Sequence, residues 1–240
     1  YAVALGERLL PAGSPGHWLG TDQLGRDLLA RLVWGTRTSL AVGLFAVIVA
    51  ALIGTLIGLA AGYFRGWLDS LLMRAIDVLL AFPYLLLALA IVAALGPGLR
   101  NAMLAITLVN IPFFARTVRG SVLELAEREF IDAARLAGMT NTRIILSEIL
   151  PNVLPVIVIA MSTTVGWMIL ETAGLSFLGL GVQPPAASWG AMIRDGTRYL
   201  LVAPHLVLAP GVALFLVVMA ANVLGDRLRD RLDVISHSRP

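Results

Sequence analysis

The sequence predicts an all-α chain that crosses a membrane several times. Three observations predict it: the composition, the bunching of the charges, and the length of the runs between them. Of 240 residues, 58% are hydrophobic and only 14% charged, and the mean hydropathy is +0.87. A soluble domain carries about 25% charge because its surface must face water. Here the charges sit in short stretches that separate long charge-free runs, the pattern expected where the surrounding solvent is lipid. Length alone would suit one or two soluble domains, but the hydropathy makes one membrane domain the better reading.

Residues 1–37 are polar and turn-rich, with Pro11, Gly13, Pro15 and Gly16 followed by Gly20-Thr21-Asp22-Gln23-Leu24-Gly25-Arg26-Asp27. They read as an ordered segment outside the membrane that leads into a helix near Leu28. Residues 38–64 carry no charge. A helix rises about 1.5 Å per residue and about 20 residues cross the hydrocarbon, so this run is a first span. Gly43, Gly54, Gly58 and Gly62 include a small-xxx-small series. Such a series lets another helix approach closely, or it reflects only the abundance of glycine in membrane helices.

A short charged break at 65–77, with Trp67 suited to an interface, precedes a second span at 78–99, kinked or unwound near Pro83. A third span covers 99–118 with Pro112 inside it, and its charge-free core is short. The long charged stretch 116–148 follows. The fourth span is 149–170. Residues 172–193 are charge-free but broken by Gly174, Gly179, Gly181, Pro184 and Pro185, which suits a re-entrant or surface loop better than a span. The last span is 199–225, followed by an Arg/Asp-rich tail.

Five spans place the two ends on opposite faces. The stretches at 65–74, 116–148 and 226–240 share one face and hold 11 arginines, against 7 in 1–37, 100 and 194–198 on the other. The positive-inside rule makes the first group cytoplasmic. Residues 1–37 are then extracytoplasmic, 38–226 the membrane domain and 227–240 a cytoplasmic tail. The chain opens at Tyr1 without Met, and this topology calls for a sixth span upstream. No cleavable signal peptide is visible in residues 1–20, which lack an apolar core.

Several function classes fit poorly. There is no cysteine, hence no disulfide framework and no thiolate metal site or nucleophile. All 18 basic residues are arginine, and most flank apolar runs, where topology and lipid headgroups account for them. Without a basic stripe interleaved with aromatics, nucleic-acid binding is not expected. No Gly-rich phosphate loop with lysine occurs, so the chain is not expected to hydrolyse ATP. Gly-x-Ser-x-Gly and His-Glu-x-x-His patterns are absent too, and a membrane enzyme is a poor fit. A gradient-driven secondary transporter would need intramembrane carboxylates or inverted repeats, and interior charges are sparse.

The stretch 116–148 is the candidate for mechanical work. On a helical wheel of 120–137, Glu124, Arg128, Asp132 and Arg135 fall on one face, and Val122, Ala126, Phe130, Ala133 and Ala137 on the other. Alternating charges support the helix by a few tenths of a kcal/mol per pair, on the order of the usual i,i+4 value. Gly138 supplies a C-cap, and a second short helix starts near Thr140 or Asn141 and runs to Leu150-Pro151. Geometry alone fits an amphipathic helix resting on the membrane or on neighbouring spans.

The string Asp132-Ala133-Ala134, three residues, Gly138, then Leu150-Pro151 resembles the EAA signature of membrane subunits of binding-protein-dependent ABC importers. That signature reads Glu-Ala-Ala, three residues, Gly, nine residues, Ile, one residue, Leu-Pro. Two positions depart: Asp132 replaces Glu, and Glu148 stands where Ile is usual, with Ile149 one step later. His17-Trp18-Leu19-Gly20-Thr21-Asp22-Gln23-Leu24-Gly25-Arg26-Asp27 resembles the segment after the first span in the peptide/nickel group of these permeases. Residues 171–185, then Ser188-Trp189-Gly190, resemble the loop before its last span. With Arg135 and Glu148-Ile149-Leu150-Pro151-Asn152, the likeness is to the second (C-type) permease of dipeptide/oligopeptide systems, over about residues 15–235.

The resemblance implies a type I ABC importer transmembrane domain, six spans when intact, in the bacterial inner membrane. It implies four further partners around the chain: a second homologous permease, two cytoplasmic ATPase subunits that bind the ATP and Mg, and an extracytoplasmic substrate-binding protein. The loop would be a coupling helix docked in an ATPase groove. Glu129, Asp132, Ala133, Ala134, Arg135 and Gly138 are its coupling residues, with Asp132 supplying a charge contact, Ala133 and Ala134 close packing, and Gly138 the turn. Substrate selection falls largely to the binding protein, so peptide is favoured by resemblance, with nickel or another small solute as alternatives.

Outside the loop the bland readings prevail. His17, Asp22 and Asp27 suit a capped turn better than a metal site, and no catalytic or cofactor-binding residue is assigned. His205 beside Pro204 reads as interfacial. Glu171 and Asp77 lie near span ends. A pathway role is open for both, and for Asp77 a structural pair with Arg74 is equally open.

Overall fold

A computed structural model describes residues 3–237, with side chains through 231; Tyr1, Ala2 and residues 238–240 of the expected tail lie outside the described residues. The chain folds almost entirely into helix. After a short 3-10 turn at Leu5–Glu7 come α1 (Leu28–Phe64), α2 (Gly66–Leu80), α3 (Tyr84–Leu95), α4 (Leu99–Leu125) and α5 (Glu129–Leu136). The one-turn α6 (Asn141–Arg143) passes through a π-helical segment, Ile144–Ile149, into α7 (Leu150–Phe177); α8 (Trp189–Thr197) and α9 (His205–His237) follow. Among the described residues, four stretches are long and apolar enough to cross a membrane: Leu28–Phe64, Leu99–Leu125, Asn141–Phe177 and His205–Arg231. The pair α2 and α3, bent by 86°, adds a fifth if counted as one span.

Several boundaries differ from the sequence expectation, each for a physical reason. The charged break at 65–77 is helical. Its carboxylates are matched by guanidiniums of α4: Asp69 accepts from Arg119 Nε and Nη2, both at 2.6 Å, and Asp77 accepts from Arg116 at 2.6 Å. Asp77 therefore pairs with Arg116, not with Arg74. The same pairings let α4 continue to Leu125 through arginines that were expected to end the span. The second span is broken sharply at Pro83, leaving α3 only 12 residues. Helix α7 runs on to Phe177, so the irregular loop is confined to 178–188 and α8 follows it. The last helix begins at His205, after a turn at 199–204.

The chain divides into two compact units. One comprises 47–87, 107–164 and 222–240. Its seam is the glycine series of α1 laid against α4. A Cβ on Gly54 would lie 2.5 Å from Phe114 Cβ, on Gly58 2.7 Å from the Ala115 oxygen, and on Gly62 2.8 Å from Val122 Cβ. The small residues are thus required by close approach, which decides the question the sequence left open. Dispersion across such a seam, rather than a hydrophobic driving force, holds helices together in lipid.

The other unit comprises 1–46, 88–106 and 165–221. Its core gathers Leu28, Ala187, Trp189, Met192, Ala203 and Leu206. Buried Trp189 donates its indole N–H to the Leu32 oxygen at 3.2 Å, and its backbone N–H to Ser39 Oγ at 3.3 Å. The N-terminal segment is ordered around buried Asp22, which accepts from the amides of Leu24 (2.8 Å) and Arg26 (3.0 Å), from Arg26 Nε (2.7 Å) and from Arg31 Nη1 (2.6 Å). Burial pushes the Asp22 carboxyl up. The Arg26 and Leu24 amides and the two guanidiniums outweigh it and hold the group below the usual carboxylate range.

Candidate functional site

The stretch 120–137 is two helices, not the single one placed on the wheel. Helix α4 ends at Leu125, where Arg65 Nη2 donates to the Leu123 carbonyl, otherwise unpartnered among the described residues (3.2 Å), and to Glu127 Oε1 (3.1 Å), while the Glu127 amide tightens onto Glu124. The Glu124–Arg128 ion pair survives across the turn at 2.7 Å, and Asp132 pairs with Arg135 at 2.9 Å. Helix α5 starts at Glu129, whose charge suits a helix N-terminus.

Helix α5 ends in a Schellman arrangement. Gly138 takes φ +78°, the Met139 amide bonds the Ala134 oxygen at 3.1 Å, and the Gly138 amide bonds the Arg135 oxygen at 3.0 Å. Glycine serves here because an L side chain is strained at that φ. The next turn begins after Thr140. The π segment then brings Ile144 and Ile149, five residues apart, onto one core. In an α-helix that spacing would point them apart, whereas an i→i+5 turn, closed by the Leu150 amide on the Ile145 oxygen, faces both inward. The isoleucine displaced by one position from the EAA pattern is therefore still buried.

The inward side of α5 is Ile131 and Ala134, buried against Leu59, Tyr63, Val118, Val122, Ile144 and Val153. This is a correction: the wheel face of Phe130, Ala133 and Ala137 is exposed, and Ala134 packs within its own chain. Glu129, Asp132, Ala133 and Leu136 point the opposite way, and Leu136 is 90% exposed. Arg135 lies at the edge with its guanidinium 5.8 Å above the Tyr63 ring, and the Tyr63 hydroxyl donates to Asn141 Oδ1 at 2.9 Å. Tyr63, at the end of α1, thus grips the chain on both sides of Gly138. Neither Tyr63 nor Asn141 was visible as a site residue, because their pairing spans 78 positions. Leu136 had a signal, an apolar residue between Arg135 and Ala137, that the charge pattern obscured.

Asp27 caps α1 by accepting the Ala30 amide at 2.7 Å, and His17 bridges Asp27 (2.8 Å) and Glu7 (3.3 Å). The Asp27 hydrogen bond chiefly raises the His17 pKa, with Glu7 adding to it against some burial. Glu171 is buried within α7, and His205 is half-buried at the start of α9.

A chain of long apolar helices, interrupted by the short helix α5 on its packed base, defines a polytopic helical membrane protein. It belongs to the family of binding-protein-dependent transport system inner membrane components, whose profile matches residues 54–234. It is 50% identical over 233 residues to the dipeptide transport system permease protein DppC of Alkalihalophilus pseudofirmus, covering 97% of this chain and 77% of that protein. It is 48% identical over 227 residues to the glutathione transport system permease protein GsiD of Pectobacterium atrosepticum, covering 95% and 75%. Among solved structures, an inward-facing MetNI methionine ABC transporter matches with a TM-score of 0.70 at 22% identity, over 85% of this chain and 97% of that one. An amino acid ABC transporter matches at 0.64 and 18% identity, over 85% and 94%. The fold is that of the type I ABC importer transmembrane domain, and the chain falls in the dipeptide/oligopeptide group of permeases.

Proposed function

We propose that this chain forms half of the translocation pathway of an ATP-driven importer of di- and oligopeptides and is coupled to its ATPases through α5. The observation that carries the reading is the two-sidedness of α5. Its Ile131–Ala134 side is fixed in a core built from the ends of α1, α4 and α7, while its Glu129–Asp132–Ala133–Leu136 side is presented outward. A force applied to the outer side reaches three membrane helices through close-packed side chains. Asp132 offers a carboxylate, Ala133 a close approach, Leu136 an apolar knob, and Arg135 and Gly138 fix the angle of presentation.

The arginine balance supports a cytoplasmic position for α5, where ATP and Mg would be held by two partner ATPases. A second permease would complete the pathway, a substrate-binding protein would deliver the peptide outside, and the chain would sit in a bacterial inner membrane as a non-enzymatic subunit. Peptide as substrate is supported by the relatives, one named for dipeptide and one for glutathione, itself a tripeptide.

The test is uptake of a labelled dipeptide into proteoliposomes holding the whole complex, with and without ATP on the ATPase side. ATP-dependent uptake is expected. Uptake indifferent to ATP would overturn the mechanism, and ATP hydrolysis without peptide uptake would overturn the substrate alone.

A further inference from the structure

A groove of about 530 Å³ runs along the first half of α1, lined by Trp34, Arg37, Ala41 and Phe45 from α1 and by Leu99 and Met103 from α4. The α1 residues recur at i, i+3, i+7 and i+11, a single stripe about 16 Å long at 1.5 Å per residue. Its floor is apolar, and the stripe carries one charge, Arg37, which stands where the charge-free run of 38–64 begins. Exposed Trp34 lies one turn beyond it, and a tryptophan beside an arginine at the end of an apolar run marks the membrane–water boundary. Arg100 follows Leu99 in the first turn of α4 and is likewise exposed. Among the described residues, no carboxylate pairs with either arginine.

Eight other arginines are spent on acids of the same chain: Arg26 and Arg31 on Asp22, Arg65 on Glu127, Arg116 on Asp77, Arg119 on Asp69, Arg128 on Glu124, Arg135 on Asp132 and Arg194 on Asp195. The groove thus joins one unmatched cation, Arg37, to an acyl-sized apolar channel at headgroup depth, and a second, Arg100, follows its lining residue Leu99. From this geometry we infer that it is a binding site for one anionic phospholipid. The phosphate sits against Arg37, with Arg100 adding attraction, and an acyl chain lies along Ala41 and Phe45. A zwitterionic lipid fills the channel equally well but leaves the excess positive charge unmatched. This site is independent of which solute is carried.

The test uses the assembled importer, delipidated in mild detergent and titrated with phosphatidylglycerol or phosphatidylcholine of the same acyl chains, with retained lipid on this chain read by native mass spectrometry. Wild type is expected to hold phosphatidylglycerol about five-fold more tightly for each arginine engaged, from the usual strength of a basic residue at an anionic surface. Arg37→Gln with Arg100→Gln brings it to the phosphatidylcholine level, and Ala41→Trp, which fills the channel, lowers both. Equal retention of the two lipids by wild type, or an unchanged preference in the double variant, overturns the site. So does an Ala41→Cys chain that cross-links to the second permease in the assembled complex, since a protein helix would then fill the groove. Should the double variant not purify, quenching of Trp34 by brominated lipid, referred to Trp34→Phe, decides the matter. Stronger quenching by the glycerol than by the choline headgroup supports the site, and equal quenching refutes it.

Discussion

Leu136→Ala isolates the outward face of α5 from its anchorage. Leu136 is 90% exposed, so truncating it removes almost nothing that the free chain uses to fold, and the thermal midpoint should move little, as for surface changes within about 0.5 kcal/mol. If the side chain enters a groove on an ATPase, the buried leucine contributes about 1.5–3 kcal/mol. Alanine keeps part of that, so a loss of about 1–2 kcal/mol remains, equivalent to about five- to thirty-fold weaker association. Association of this chain's complex with purified ATPase, and ATP-driven uptake at limiting ATPase, should fall together by that factor. Ala134→Leu is the contrast. Ala134 is buried against the α5 base, so the larger side chain should cost about 1–3 kcal/mol of stability by overpacking and lower uptake through folding. Normal ATPase affinity in Leu136→Ala, or a lowered thermal midpoint with unchanged affinity, would refute the two-sided reading.

Tyr63→Phe keeps the ring beneath Arg135 and removes the hydroxyl bond to Asn141. Hydrogen exchange across 129–141 should rise by the equivalent of about 0.5–1.5 kcal/mol, and Tyr63→Leu, which also removes the cation–π contact, should raise it further. Gly58→Val places a Cβ 2.7 Å from the Ala115 oxygen, so the α1–α4 seam must open. The detergent-solubilised complex should lose thermal stability while Gly120→Val, in open space, should not disturb that seam. His17 has its pKa raised by Asp27 first and Glu7 next, so its contribution to the N-terminal segment is fully present below the unfolded value near 6.5. It is lost as pH rises through the folded value. Proteolysis of residues 3–27 should therefore accelerate from pH 6 to pH 8 in wild type, and a His17→Gln chain with the same acceleration would exclude the histidine as its cause.

Much of this protein was written in periodicity and composition. Charge-free runs located the apolar helices because lipid tolerates few charges, and the spacing from Asp132 through Gly138 to Pro151 located α5 and its turn because a Schellman end and a proline-bearing helix start are local requirements. What depended on partners far along the chain was not legible. Arg116 and Arg119 looked like the end of a span until Asp77 and Asp69 were found beside them, and the break in the 120–137 helix is capped by Arg65, 58 positions away from Leu123. A wheel shows which residues share a face but not which face meets the core. Only the packing of Ile131 and Ala134 onto α1, α4 and α7 decided that Leu136 and Ala133 face outward. Local sequence sets where helices form, and long-range burial and charge pairing set where they stop and which side they show.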